Sequence, residues 1–172
     1  AMRAFDMAIE TDPKYSGAYL AKAVFLRSKG ENQKAIDVLK KCIDVSPDNL
    51  RAKLILGQIY VGMERHADAA RILDDVVEAA PGLIDALMVR GLAARGLGNM
   101  DTAETFFTRV IAIDPTSASA RLNRAMTYAA QGRVEDAAED LRSARRVWET
   151  AANPVNRMVF AREFGDAWRT IG

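Results

Sequence analysis

Apolar residues recur along this chain at helical spacing, in short amphipathic stretches separated by polar turns. Leu54, Leu56, Ile59 and Tyr60 form one such stretch. Gly62 and the polar run Glu64 to Asp68 follow, and then a second stretch at Ala69, Ile72, Leu73, Val76 and Val77. Each pair of stretches reads as two helices joined by a turn. No segment alternates with period two over a useful length, so a sheet is not expected.

The two-helix pattern repeats. Prolines stand at Pro13, Pro47, Pro81 and Pro115, each 34 residues from the last, with Pro154 beyond them. The same step links Ala1, Ala35, Ala69, Ala103 and Ala137, and, four places later, Phe5, Leu39, Leu73, Phe107 and Leu141. A third register runs Ala8, Cys42, Val76, Val110 and Ala144, and small residues recur at Ala23, Gly57, Gly91 and Ala125. Independent columns sharing one period identify a repeat array. Proline closes each second helix because it cannot continue the hydrogen-bond ladder, so Asp12-Pro13, Ser46-Pro47, Ala80-Pro81 and Asp114-Pro115 are turns between units.

These columns resemble the tetratricopeptide repeat, a helix–turn–helix unit of this length. Tyr19, Ala23 and Leu26 match its first helix in one unit, Gly57 and Tyr60 in the next, Leu87, Gly91 and Ala94 in the third, and Ala125 and Tyr128 in the fourth. The leucine column departs from the pattern, reading Lys22, Leu56, Arg90 and Arg124; so does the leading aromatic column, with Lys53 and Arg121. Those charged stems are expected to lie along a rim with their heads in water. The resemblance implies an all-α fold, a right-handed α-α superhelix or solenoid of helix–turn–helix repeats.

The expected division places the second helix of an incomplete unit at 1–15, complete units at 16–49, 50–83, 84–117 and 118–151, and a capping helix or the first helix of a further unit at 152–172. Phe164, Gly165, Trp168 and Gly172 reproduce first-helix columns about six residues later than a strict step requires. Asn153-Pro154 suits a helix start, with Asn as the cap and Pro in the first turn. The first helix shows Met2, Phe5 and Ile9 with no partner before it, which favours a chain cut from a longer array over one capped at its end.

Helical geometry divides the first helices into two sides. Tyr19, Ala23 and Leu26 share the packed one. The opposite side carries Gly17, Leu20, Ala21, Val24, Arg27 and Ser28, and the resemblance implies that it lines a concave groove. In the first two complete units that groove holds Leu20, Val24 and Arg27, then Arg51, Leu54, Ile55 and Gln58. It continues with Met88, Val89, Leu92 and Arg95, and then with Leu122, Asn123 and Met126. The alternative for Leu20, Leu54, Met88 and Leu122 is that they seal adjacent first helices. Members that clamp a chaperone tail use lysine, asparagine and arginine where this chain has Leu20 and Val24, Leu54 and Gln58, or Met88 and Leu92, so such a clamp is not expected. The asparagine ladder of glycosyltransferase-linked arrays is missing too, since its column reads Ala21, Ile55, Val89 and Asn123.

Composition narrows the function further. Lys plus Arg total 24 and Asp plus Glu 23, a balance without the electrostatic footprint of a nucleic-acid binder. The adjacent basic pairs Lys40-Lys41 and Arg145-Arg146 are too isolated to supply one. No apolar run reaches the ~18–20 residues of a membrane span, so membrane insertion is not expected. One Cys and one His do not make a metal site, and no catalytic constellation or cofactor motif is found. Cys42 falls in a packing column, His66 in a polar turn, and Gly96 and Gly98 in an inter-helix turn rather than a phosphate loop. The acidic pairs Asp74-Asp75 and Glu139-Asp140 diverge by ~100° on a helix and face no common substrate. The expectation is a non-enzymatic scaffold that binds a partner peptide or helix in the groove. Alternatives are self-assembly through the solenoid ends near Phe5 or Trp168, or an adaptor region within a larger enzyme or secretion or assembly complex. Compartment is open: cytoplasmic by default, exported if a leader was removed.

Overall fold

A computed structural model describes residues 2–150 and 164–170, and all regular structure in them is helical. The helices are α1 (Met2–Thr11), α2 (Ser16–Ser28), α3 (Asn32–Val45), α4 (Leu50–Gly62), α5 (His66–Ala79), α6 (Ile84–Gly96), α7 (Met100–Ile113), α8 (Ala118–Ala130) and α9 (Val134–Thr150). A further helical segment, α10, covers 164–170. The helix start expected at Asn153-Pro154 lies outside the described residues. The chain divides into two compact units, residues 1–79 and 80–172.

In the first unit α2 pairs with α3 and α4 with α5, while α1 packs on α2 and α3 on α4. The core is built from the recurring columns: Ala23, Leu26, Ala35, Leu39, Cys42, Leu56, Ala69, Leu73 and Val76 are all buried. Each large apolar side chain withdrawn from water in this way stabilises the fold by roughly 1.5–3 kcal/mol. Gly57 is required by close approach: a Cβ there would stand 2.7 Å from Leu73 Cγ.

The second unit repeats the arrangement with α6 against α7, α8 against α9, and α7 against α8. Leu87, Ala94, Ala103, Phe107, Val110, Leu122, Ala125, Ala137 and Leu141 are buried. The segment 164–170 adds Ala167 to the α8–α9 core, with Phe164 packed beside it.

Two kinds of turn recur, each with the same bonding. Between hairpins, Tyr15, Asn49, Leu83 and Ser117 each donate a backbone N–H, at 3.1 Å, to the carbonyl three residues back, closing a β-turn. Proline sits at the second position of all four, where its fixed φ suits the turn. Asn49 and Ser117 also cap the next helix, accepting from the N–H of Ala52 at 3.0 Å and of Ala120 at 3.3 Å. Within hairpins, the N–H groups of Glu31, Arg65, Asn99 and Arg133 reach back to the carbonyls of Leu26, Tyr60, Ala94 and Tyr128. That pattern ends a helix through a left-handed residue. Gly30, Gly98 and Gly132 supply it, with φ of 75°, 79° and 74°, and Glu64 supplies it in the remaining hairpin with φ 58°.

The charged departures from the repeat pattern are partnered rather than turned to water. Lys22 bonds Asp6 at 2.6 Å and Lys53 bonds Asp75 at 2.7 Å. The Arg90 guanidinium lies 5.1 Å from the Phe106 ring centre. Arg124 grips Asp140 with two hydrogen bonds, of 2.7 and 2.8 Å, and Arg121 stands 3.7 Å from the same carboxylate. Asp140 is only 4 % exposed, so it is not a solvated acidic residue. His66 also differs from a solvated turn residue: it is half-buried and its Nδ1 is enclosed without a hydrogen-bond partner.

Candidate functional site

The wall residues read from the sequence fall into two sets, one in each unit. In the first unit, α2 presents Val24, 43 % exposed, and the exposed Arg27, with Leu20 half-buried. From α4, Arg51 is exposed and Gln58 half-buried, while Leu54 and Ile55 are buried. Arg27 Nη1 donates to Gln58 Oε1 at 2.7 Å and ties the two helices together across this face.

In the second unit, α6 supplies Met88, Val89, Leu92 and Arg95, and α8 supplies Leu122, Asn123 and Met126. Val89 and Leu122 are buried, Leu122 to 2 % exposure; the other five are half-buried. Leu92, Arg95, Leu122, Asn123 and Met126 gather round one cavity of about 360 Å³, whose remaining wall is Asp166 from α10. That volume is within the range of small-ligand and side-chain pockets. Met88 and Leu92 also pack onto the Ala94–Phe107 core, so Leu92 belongs at once to the core's edge and to the cavity.

Three of the named lining residues, Leu92, Leu122 and Met126, are apolar; the others are Arg95, Asn123 and Asp166. Burial pulls the Arg95 guanidinium below its ordinary pKa, though it stays protonated at neutral pH. Its Nη1 contacts the Asn123 carbonyl at 3.4 Å, near the outer limit of hydrogen bonding, and the Met126 sulfur, a weak acceptor, at 3.6 Å. Asn123 turns its Nδ2 back to the Ser119 carbonyl at 2.8 Å. Asp166 is bonded to Arg169 of its own helix.

A second cavity, of about 390 Å³, lies in the first unit among α3, α4 and α5, lined partly by Ile43, Leu56, Tyr60 and Ile72. Two of its three acidic residues are paired internally: Arg65 and Arg71 hold Asp68 at 2.6 and 2.8 Å, and Lys53 holds Asp75. Sequence reasoning did not find it, although Asp68, Arg71 and Asp75 share one face of α5 by their spacing. The place of Asp166 beside the second-unit wall was likewise not read from the sequence.

Cys42 is buried, its Sγ donating to the Ser16 carbonyl at 3.3 Å, and burial pushes its thiol pKa up, away from the reactive thiolate. Among the described residues no three His, Cys, Asp or Glu side chains group as metal ligands, and no helix is long and apolar enough to cross a membrane.

Comparison with known proteins agrees with this architecture. The tetratricopeptide-repeat family profile matches residues 26–96 and 94–146. Among solved structures, MamA residues 41-end from Desulfovibrio magneticus RS-1 superimposes with a TM-score of 0.85 at 18 % identity, covering 88 % of this chain and 86 % of that one. Another MamA crystal structure gives 0.81 at 22 % identity, covering 86 % of both chains. These likenesses speak to fold alone. The CTR9 homolog of Arabidopsis thaliana is 27 % identical over 121 residues, which cover 70 % of this chain and 11 % of that protein. Mouse interferon-induced protein with tetratricopeptide repeats 3 is 30 % identical over 106 residues, covering 60 % of this chain and 26 % of that protein. The chain thus spans about a quarter or less of the length of these two relatives.

Proposed function

The chain belongs to the tetratricopeptide-repeat family, whose fold is typically a non-catalytic scaffold, and from that premise we propose that it captures a peptide or helix of a partner protein on the open wall of its first helices. The observation that carries this reading is the cavity in the second unit, where Leu92, Leu122 and Met126 stand beside Arg95, Asn123 and Asp166. Such a surface accepts an amphipathic segment: apolar side chains enter the recess, and the polar groups fix register. Val24 and Arg27 in the first unit offer the same combination, with more of it in water. The reading assigns whole repeats to 16–49, 50–83, 84–117 and 118–151, so each repeat contributes its first helix to a wall. Leu54, Ile55, Val89 and Leu122 then support the wall from beneath, and Val24, Leu92 and Met126 make the contacts.

The test is a pull-down of partner protein with the intact chain and with a variant carrying Leu92→Asp and Met126→Asp. Capture is expected to fall at least tenfold with no loss of helical circular dichroism, since both side chains are half-buried rather than central to the core. A control with Lys40→Ala and Arg71→Ala alters the exposed rim of the other cavity and is expected to keep capture. Undiminished capture by the Leu92/Met126 variant defeats the proposed wall.

A further inference from the structure

We infer that the second-unit wall selects a partner segment bearing an internal Asp or Glu side chain, its carboxylate seated on Arg95 and apolar residues placed on either side; this rests on the groove reading above. The reason lies in what Arg95 lacks. Several cations set into the fold have a carboxylate at hand: Lys22 has Asp6, Lys53 has Asp75 and Arg124 has Asp140; half-buried Arg109 instead makes a good hydrogen bond to the Pro81 carbonyl, at 3.0 Å. Arg95 is half-buried at the cavity and has none within ion-pair distance among the described residues. Both of its contacts, to a neutral carbonyl and to a weakly accepting thioether, are made through Nη1 and leave most of its donor fork unused. A cation withdrawn from water without a counter-charge weakens a fold, and a carboxylate arriving from outside would remove that cost through a paired, charge-assisted contact.

The column comparison isolates the feature. Arg27 occupies the same repeat position in the first unit, but it is exposed and its Nη1 is taken by Gln58 at 2.7 Å. Asp166, the one carboxylate among the described residues of the cavity wall, is engaged by Arg169. Charge balance also favours a carboxylate: one guanidinium matches one carboxylate, whereas a phosphate dianion on a single arginine would be left half-neutralised. Leu92 on α6, and Leu122 with Met126 on α8, put apolar surface on both flanks of Arg95. The acidic residue is therefore expected inside the bound segment rather than at its free end. Arg95 also lies outside the columns through which chaperone-binding members hold a terminal carboxylate.

Selection of random dodecapeptides displayed with an amidated C-terminus, using the intact chain as bait, tests this. Recovered sequences are expected to carry Asp or Glu within one turn of Leu, Ile, Met or Phe. A synthetic peptide of the consensus is expected to bind about tenfold tighter than its copy with Glu→Gln or Asp→Asn. Arg95→Gln should equalise the two peptides, Arg95→Lys should keep part of the preference, and circular dichroism should show both variants folded. Apolar peptides without an acid, or an acid preference that survives Arg95→Gln, overturn the carboxylate while leaving the groove reading in place, provided that Leu92→Asp with Met126→Asp still abolishes binding. Peptides that bind that double variant unchanged, or no recovery above background, remove both.

Discussion

At the scale of single residues, Glu64 is the clearest misfit between residue type and backbone. It alone among the described non-glycine residues has positive φ, and it stands where the other complete hairpins have Gly30, Gly98 and Gly132. A side chain in the left-handed region costs roughly 1–2 kcal/mol, of which glycine's greater freedom in the unfolded chain returns a part. Glu64→Gly is therefore expected to stabilise the protein by about 0.5–1 kcal/mol, measured by urea denaturation. An unchanged or lower midpoint would show that Glu64 is held by something more than turn geometry. The conformation was legible in the sequence, because three glycines at one repeat position announce it. The burial of Asp140 was not: hydrophobic patterning sorts carboxylates to the surface and cannot see a partner sixteen residues away.

At the scale of paired helices, that partner is the instructive feature. Arg124 and Asp140 occupy the two columns that hold Leu56 and Ile72 in the first unit, and Arg90 and Phe106 in the α6–α7 hairpin. The same two positions thus hold an apolar pair lining one cavity, a cation over a ring, or a buried ion pair. Removing one member of such a pair strands the other, so Asp140→Asn is expected to cost about 2–4 kcal/mol. Arg124→Leu combined with Asp140→Ile, which copies the first unit, is expected to lie within about 1.5 kcal/mol of the parent. Thermal melts of the single and double variants decide this; a double variant as unstable as Asp140→Asn would mean that Arg121 depends on the same carboxylate. The columns themselves were readable from the 34-residue step, together with the turns and the packed sides. Sequence reasoning passed over another equally regular column, Ala18, Ala52, Ala86 and Ala120, all buried, because alanine leaves little mark on a hydrophobic pattern.

At the scale of the molecule, the period and the helical class were evident from residue spacing, whereas the division at residue 79 was not. Nor was it evident which wall residues are sealed: Leu54 and Leu122 are buried while Leu20 and Met88, in the same column, are only half so. Exposure of a column depends on the neighbouring helix and on what that helix carries, which periodicity does not encode. Repeat arrays hold together through contacts between nearest units. Residues 80–172 have their own core of Leu87, Phe107, Leu122 and Leu141, and are expected to fold when expressed alone. A helical spectrum with a cooperative melt supports this, and a featureless spectrum rejects it.

The changing chemistry of the Leu56–Ile72, Arg90–Phe106 and Arg124–Asp140 contact has a bearing on how such a chain avoids misassembly. Units of nearly equal length and outline could trade partners while the chain is still collapsing. A swap of α5 for α9 would set Asp140 against Leu56 and strand Arg124 beside Ile72, each error burying a naked charge. The substitutions that blur the family pattern act as a key cut differently for every lock, so that a hairpin closes on its own second helix and rejects a neighbour's.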